Sequence, residues 1–165
     1  MMTIDDVNAL TPEAFIASFG DVAEHSPWVA RYAAATRPFV SREAMIAAFV
    51  SALQAADRAT QLALVRSHPD LATKARLTDG STREQAGAGL TALSADEFAR
   101  FTQLNDLYKA KFGFPFIFAV KGATKHQILA AFAERVNNPP DDEFARAVAQ
   151  IARIFRFRIE DRVAP

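Results

Sequence analysis

Cysteine is absent from this chain of 165 residues, which excludes disulfides, thiolate metal sites and cysteine nucleophiles. Histidine is scarce: His25, His68 and His126 are the only three. None has a second histidine at ligand spacing, so no bound metal is expected. Neither sign of charge is in excess, with Lys plus Arg and Asp plus Glu both at 19. Nothing therefore draws the surface toward a phosphate backbone or anionic lipid, and nucleic acid is not expected as a partner. Long apolar runs are missing as well. The candidate, Phe114 to Val120, is far too short to span a bilayer, so no membrane partner is expected. The start, Met1-Met2-Thr3-Ile4-Asp5-Asp6, is acidic and lacks the basic-then-apolar pattern of a secretory signal, so a cytoplasmic location is expected. Alternating runs joined by Asn-Gly type turns are absent and β-branched residues are sparse, which argues against a sheet.

Half of the residues are hydrophobic, enough at this length for one substantial core, and a single domain over 1–165 is expected. Helix-start signals recur: Thr11-Pro12-Glu13, Ser41-Arg42-Glu43, Ser81-Thr82-Arg83-Glu84, Ser94-Ala95-Asp96-Glu97 and Thr124-Lys125-His126-Gln127. In each, a hydroxyl can cap an orphan amide of the first turn, and Glu or Gln three residues on can return the bond in a capping box. Pro12 suits a first helical position. Ala-rich, Phe-spaced segments follow, with apolar residues at intervals of three and four, and the fold is expected to be all-α. Pro139-Pro140-Asp141-Asp142 reads as a turn into the last helix.

Two segments break the helical rhythm, and breaks on a rigid scaffold are where binding groups tend to be presented. The first runs from Ser67 to Leu77, where a helix ending near Arg66 meets His68-Pro69; the residue before a proline is pushed out of the helical region. Read locally, His68 is a turn residue more readily than a catalytic one. Its neighbourhood of Asp70, Lys74 and Arg76 favours chemistry, because imidazole is the usual group for moving protons near neutral pH. The second break is Gly113 to Val120, where Gly113 stops a helix and Pro115 prevents its restart. Phe116, Ile117, Phe118, Ala119 and Val120 have the composition of a buried strand with no sheet to join. Their backbone should bond neighbouring loops or line a pocket, and a hydrophobic connector wedged in the core is an equal alternative.

Glu84 has a structural explanation in the Ser81 capping box, yet Ser81, Thr82, Arg83, Glu84 and Gln85 could also offer amides, hydroxyl and carboxylate to a polar ligand. In the last helix Phe144, Val148, Ile151 and Phe155 step along one apolar seam, and the next step lands on Arg158. A guanidinium on a buried face needs a carboxylate, carbonyls or an anionic ligand; Glu84, Asp70 and a substrate carboxylate all qualify. Arg146, Arg153 and Arg156 point away from that seam.

Three ordered motifs, Ser67-His68-Pro69-Asp70-Leu71-Ala72, Ser81-Thr82-Arg83-Glu84-Gln85-Ala86-Gly87-Ala88-Gly89-Leu90 and Leu104 to Ile117, together resemble the 2-oxo-4-hydroxy-4-carboxy-5-ureidoimidazoline (OHCU) decarboxylases. The resemblance spans nearly the whole chain, including Lys121-Gly122-Ala123-Thr124-Lys125 and the Arg-rich last helix. It implies an all-helical, usually dimeric enzyme that decarboxylates OHCU to (S)-allantoin in urate degradation without metal or organic cofactor. It implies His68, Glu84 and Arg158 as catalytic residues. Substrate binding would fall to Pro69, Ser81, Thr82, Arg83, Glu84 and Gln85 and to the backbone from Phe116 to Val120. The family often reads Leu-Arg-Leu near its carboxy end, whereas this chain reads Phe157-Arg158-Ile159 with Arg156 two residues away, so either arginine can be the match. The chain ends Val163-Ala164-Pro165 with no peroxisomal address, and a free-standing enzyme is expected. The readings from other classes are a non-catalytic helical ligand-binding module with the same pocket and a helical interaction domain.

Overall fold

Side-chain caps start most of the helices: Thr3, Thr11, Ser41, Asp57, Thr78, Ser94 and Thr124 each accept a hydrogen bond from a first-turn amide. The computed structural model describes residues 1–73 and 77–165. Among these residues the chain is all-α, with helices α1 (Ile4–Ala9), α2 (Pro12–Phe19), α3 (Trp28–Ala34), α4 (Arg42–Ala55), α5 (Arg58–Arg66), α6 (Asp79–Gly87), α7 (Ala95–Phe112), α8 (Lys125–Arg135) and α9 (Pro140–Glu160). A 3-10 turn, Gly20–Val22, follows α2. Extended pairing is limited, among the described residues, to one isolated bridge between Met2 and Val163. No described helix is long and apolar enough to cross a membrane.

The chain divides into two compact units, residues 1–67 with 151–165 and residues 68–150. The first unit contains α1 to α5 and the carboxy-terminal half of α9. Its core is aromatic: the Phe49 ring lies 6.2 Å from Phe15 and 6.3 Å from Phe155, and all three side chains are fully buried. Arg37 closes the end of α1 by donating from Nη1 to the carbonyls of Val7 and Leu10.

The second unit contains α6, α7, α8 and the first half of α9, around Phe101, Tyr108, Phe116 and Phe132. Phe116 stacks on Phe132 with centroids 3.9 Å apart. Helix α7 opens on a complete capping box between Ser94 and Glu97, and Glu97 also pairs with Lys125 at 2.9 Å. The Ser94 amide, then the Lys125 ammonium, hold the Glu97 carboxyl at about 2, against an ordinary 4.5. A carboxyl lowered by folding stabilises the native state above its unfolded value, and that contribution is lost as pH falls from about 4.5 to about 2. Glu97→Gln should therefore lower the melting temperature at neutral pH, with the difference from wild type closing as pH approaches 2. Thermal melts followed by circular dichroism across that range check this; a constant difference would contradict it.

Candidate active site

Helix α5 ends at Arg66, and its Ser67 cap turns the chain into His68-Pro69. The Ser67 hydroxyl donates back to the Leu64 carbonyl at 2.6 Å and to the Glu24 carbonyl at 2.8 Å. His68 is buried, at 7% exposure, while Pro69 and Asp70 are half-buried. The turn that follows is held by side chains from two helices. From α6, Gln85 accepts from the Ala72 amide at 3.0 Å and donates to the Asp70 carbonyl at 3.4 Å. From α7, Asn105 donates to the Leu71 carbonyl at 2.9 Å, and Lys109 pairs with the Asp70 carboxylate at 2.7 Å. These bonds hold Ala72 at a φ of 56°, a left-handed conformation that costs a non-glycine residue on the order of 1 kcal/mol or more. Lys74 and Arg76, which the sequence places beside the histidine, lie outside the described residues.

The α6 motif differs from its sequence reading in one respect. Thr78 rather than Ser81 caps the helix, with Thr78 Oγ1 accepting from the Ser81 amide at 3.3 Å. The physical reason is that Thr78 takes the extended conformation of a cap and Asp79 complements the positive end of the helix, which together outweigh the poor helical propensity of Gly80. The earlier start places Ser81, Gln85 and Ala88 on one buried face, at steps of four and three. Ser81 and Glu84 thus form no capping box. Glu84 is half-buried in the body of the helix, and Thr82 and Arg83 are exposed. Gln85, read from sequence as an amide for a ligand, spends that amide on the His68 turn.

Phe114 to Val120 forms neither helix nor strand. Gly113 terminates α7 in the left-handed region at a φ of 76° and Pro115 lacks a backbone donor, so the helix does not continue. In place of neighbouring loops, helix side chains meet its backbone: Arg135 donates from Nη1 to the Ile117 carbonyl at 2.7 Å, and Gln150 Oε1 accepts from the Ala119 amide at 2.9 Å. Arg135 is itself buried, with its guanidinium 4.4 Å from the Phe116 ring centre. Its Nε donates at 2.6 Å to Glu143, a fully buried carboxylate that also accepts from Tyr108 at 2.7 Å and Asn138 at 3.0 Å. Burial, and then the bond to Glu143, push the Tyr108 phenol far above its ordinary range, so it remains a donor.

Helix α7 links both breaks. Its Asn105 and Lys109 hold the His68 turn, while Tyr108, between them on the same face, packs 5.5 Å from Phe116. A cavity of about 560 Å³ lies along α6, lined among others by Ala72, Thr73, Thr82, Gln85, Leu90 and Phe98. His68, Ser81 and Glu84 are not in that lining, which places the cavity beside the histidine turn rather than over it. Among the described residues no three or more His, Asp or Glu side chains gather as metal ligands.

Arg158 belongs to the first unit and is buried at 5% exposure, at the end of the seam through Phe144, Val148, Ile151 and Phe155. Its Nη1 donates to Glu24 Oε2 at 2.9 Å and to the carbonyls of Asp21 and Val22. Arg156 instead pairs at the surface with Glu43, at 2.8 and 2.9 Å, and with Glu160. Sequence reasoning passed over Glu24, which sits in a loop beside the exposed His25 with no periodicity to mark it. It also passed over Arg135, Glu143 and Gln150, which sit at ordinary helical positions and reveal themselves only through what they meet.

The OHCU decarboxylase family model matches residues 8–160, which include both breaks, the α6 motif and Arg158. The chain belongs to the OHCU decarboxylase family. This OHCU decarboxylase family member is 40% identical over 161 residues to a Haloferax volcanii protein named 2-oxo-4-hydroxy-4-carboxy-5-ureidoimidazoline decarboxylase, covering 98% of this chain and 96% of that one. It is 43% identical over 161 residues to the uric acid degradation bifunctional protein PucL of Bacillus subtilis, where 98% of the chain corresponds to 33% of the longer protein. The chain thus spans about a third of that relative. Two solved structures share the fold. One is (S)-allantoin synthase, with a TM-score of 0.78 and 28% identity over 98% of this chain and 54% of that one. The other is OHCU decarboxylase in the presence of (S)-allantoin, with a TM-score of 0.71 and 25% identity over 86% and 94%.

Proposed function

We propose that this chain decarboxylates OHCU to (S)-allantoin in urate degradation, with His68 as the general acid or base. The observation that carries the reading is the family match through residues 8–160, together with relatives named for this activity along nearly their whole length. A buried histidine in a turn tied down by Gln85 and Asn105 suits the role, since acid–base catalysis needs a fixed proton-transfer distance.

Loss of carbon dioxide from C4 of the ring leaves its bonding electron pair there, from which the pair passes into the adjacent C5=N1 double bond as N1 takes up a proton. This gives an enol at C4 whose hydroxyl becomes the carbonyl of allantoin when C5 is protonated. Catalysis consists of stabilising that enolate-like state more than the ground state. The substrate supplies its own electron sink, so the protein must position groups and move a proton. His68 either removes the C4 hydroxyl proton or, as imidazolium, protonates the ureido-bearing C5 from one face and sets the S configuration. The Glu84 carboxylate orients the imidazole, the Ser81 hydroxyl and the 116–120 backbone bind ureido and ring polar groups, and Arg158 binds an anionic or carbonyl group. We further propose that the enzyme acts as a homodimer.

OHCU generated in situ from urate, with carbon dioxide release followed against a protein-free control, tests the reading. Accelerated release supports it; an unchanged rate leaves a non-catalytic binding module as the better account. Two substitutions test individual roles. Glu84→Gln should lower turnover by at least about tenfold with a far smaller effect on melting temperature, because the Thr78 cap does not involve this carboxylate. Turnover close to wild type would remove Glu84 from the mechanism. Arg158→Lys should lower kcat/KM by at least about tenfold because a planar bidentate site rejects an ammonium, whereas Arg156→Lys should change it less than about twofold, as expected of an exposed ion pair. Equal effects would contradict the assignment to Arg158.

A further inference from the structure

In an extended chain, backbone groups sort by parity, so residues two apart present their N–H and C=O groups on the same edge. Phe116 and Phe118 show this relation: their rings are 6.0 Å apart and only 22° from parallel. On the edge formed by Ile117 and Ala119, the Ile117 carbonyl and the Ala119 amide are held from within the protein. Arg135 donates to the Ile117 carbonyl and Gln150 accepts from the Ala119 amide. On the opposite edge the Val120 carbonyl accepts from Ala123. The Phe118 amide and carbonyl and the Val120 amide bond to nothing else among the described residues. Val120 is buried and Phe118 half-buried, and backbone groups away from bulk water are seldom left without a partner.

We propose that Gln150 and Arg135 are positioning residues of the decarboxylase site, which grip one edge of residues 117–119 and thereby fix the opposite edge, at Phe118 and Val120, where it meets the planar amide groups of the substrate. This rests on the decarboxylase reading above. Two side chains substitute for the neighbouring strand that an all-helical unit does not provide. Their chemistry is directional. Ala119 offers an N–H and requires an accepting oxygen, while Ile117 offers a carbonyl and requires a donor. Arg135 is in turn locked by Glu143 and by the Phe116 ring, so its grip on Ile117 is fixed to the α8–α9 connection.

The test compares Gln150→Met, which keeps bulk and removes the acceptor, with Gln150→Glu, which keeps an accepting oxygen. Arg135→Lys serves as a second probe: it retains a charge opposite Glu143 but is too short a fork to serve Glu143 and Ile117 together. Steady-state kinetics on OHCU generated in situ should show KM raised about fivefold in Gln150→Met and in Arg135→Lys, the equivalent of about one net hydrogen bond, with kcat nearly kept. Gln150→Glu should restore KM to within about twofold of wild type, a rescue that bulk packing alone would not produce. Wild-type kinetics in a folded Gln150→Met, or equal damage in the Met and Glu variants, would overturn the positioning role while leaving the decarboxylase reading intact. A wild-type protein that does not accelerate decarboxylation would overturn both.

Discussion

Replacing His68 with alanine should lower turnover of OHCU by at least about a hundredfold, the usual scale for losing a general acid or base, and the protein should still fold. The second half of that expectation comes from what anchors the turn. Ser67 bonds back to Leu64, Gln85 holds Ala72, Asn105 holds Leu71 and Lys109 pairs with Asp70. None of these bonds uses the imidazole. Truncation therefore removes the proton-transfer group and leaves the frame that positions it, including the left-handed Ala72. Rate measurements are to be paired with a thermal melt of the same sample. A folded His68→Ala variant with near wild-type turnover would remove the histidine from the mechanism.

The largest expected effect on stability lies elsewhere in the second unit, at Glu143. This carboxylate is fully buried and accepts from Arg135, Tyr108 and Asn138. Glu143→Ala leaves a buried guanidinium without its counter-charge and a buried phenol without its acceptor. Breaking a buried pair by removing one partner costs roughly 3–5 kcal/mol, which in a chain of this size corresponds to a fall in melting temperature of about 6–20 °C. Replacing both charged partners with apolar residues, as in Arg135→Met with Glu143→Leu, should recover much of that loss, because desolvation opposes the pair's own attraction. The double variant should still be impaired in substrate binding, since Ile117 has then lost its donor. Chemical denaturation of the single and double variants separates these contributions. A single-variant cost below about 1 kcal/mol would show that the pair does not hold the unit together.

Much of this arrangement is legible in the residues. Periodicity and hydroxyl caps place α2, α4, α7 and α8 at Thr11, Ser41, Ser94 and Thr124, and the caps are found there. Gly113 and Pro115 announce the extended run, and a four-three-four spacing carries the buried seam of α9 to Arg158. The α6 start is not legible locally because Thr78 and Ser81 are both able to cap, and only the burial of Ser81 and Gln85 decides between them. Long-range partners are harder still. Nothing local in Glu24, Arg135, Asn105 or Gln150 distinguishes a charge or amide that meets a buried backbone group from one that faces water, because the distinction is made by residues 18 to 134 positions away. Gln85 shows the same limit: its place in a substrate-like motif is visible in the sequence, and its use in holding the His68 turn is not.

In the proposed reaction this chain decarboxylates OHCU to (S)-allantoin and His68 serves as its general acid or base. Circular dichroism of the allantoin formed from in situ OHCU measures both at once. Wild-type protein should accumulate optically active (S)-allantoin, and His68→Ala should give product that is slow to form and close to racemic. Racemic allantoin at the uncatalysed rate from the wild-type protein, or an undiminished (S) signal from the His68 variant, would contradict the account.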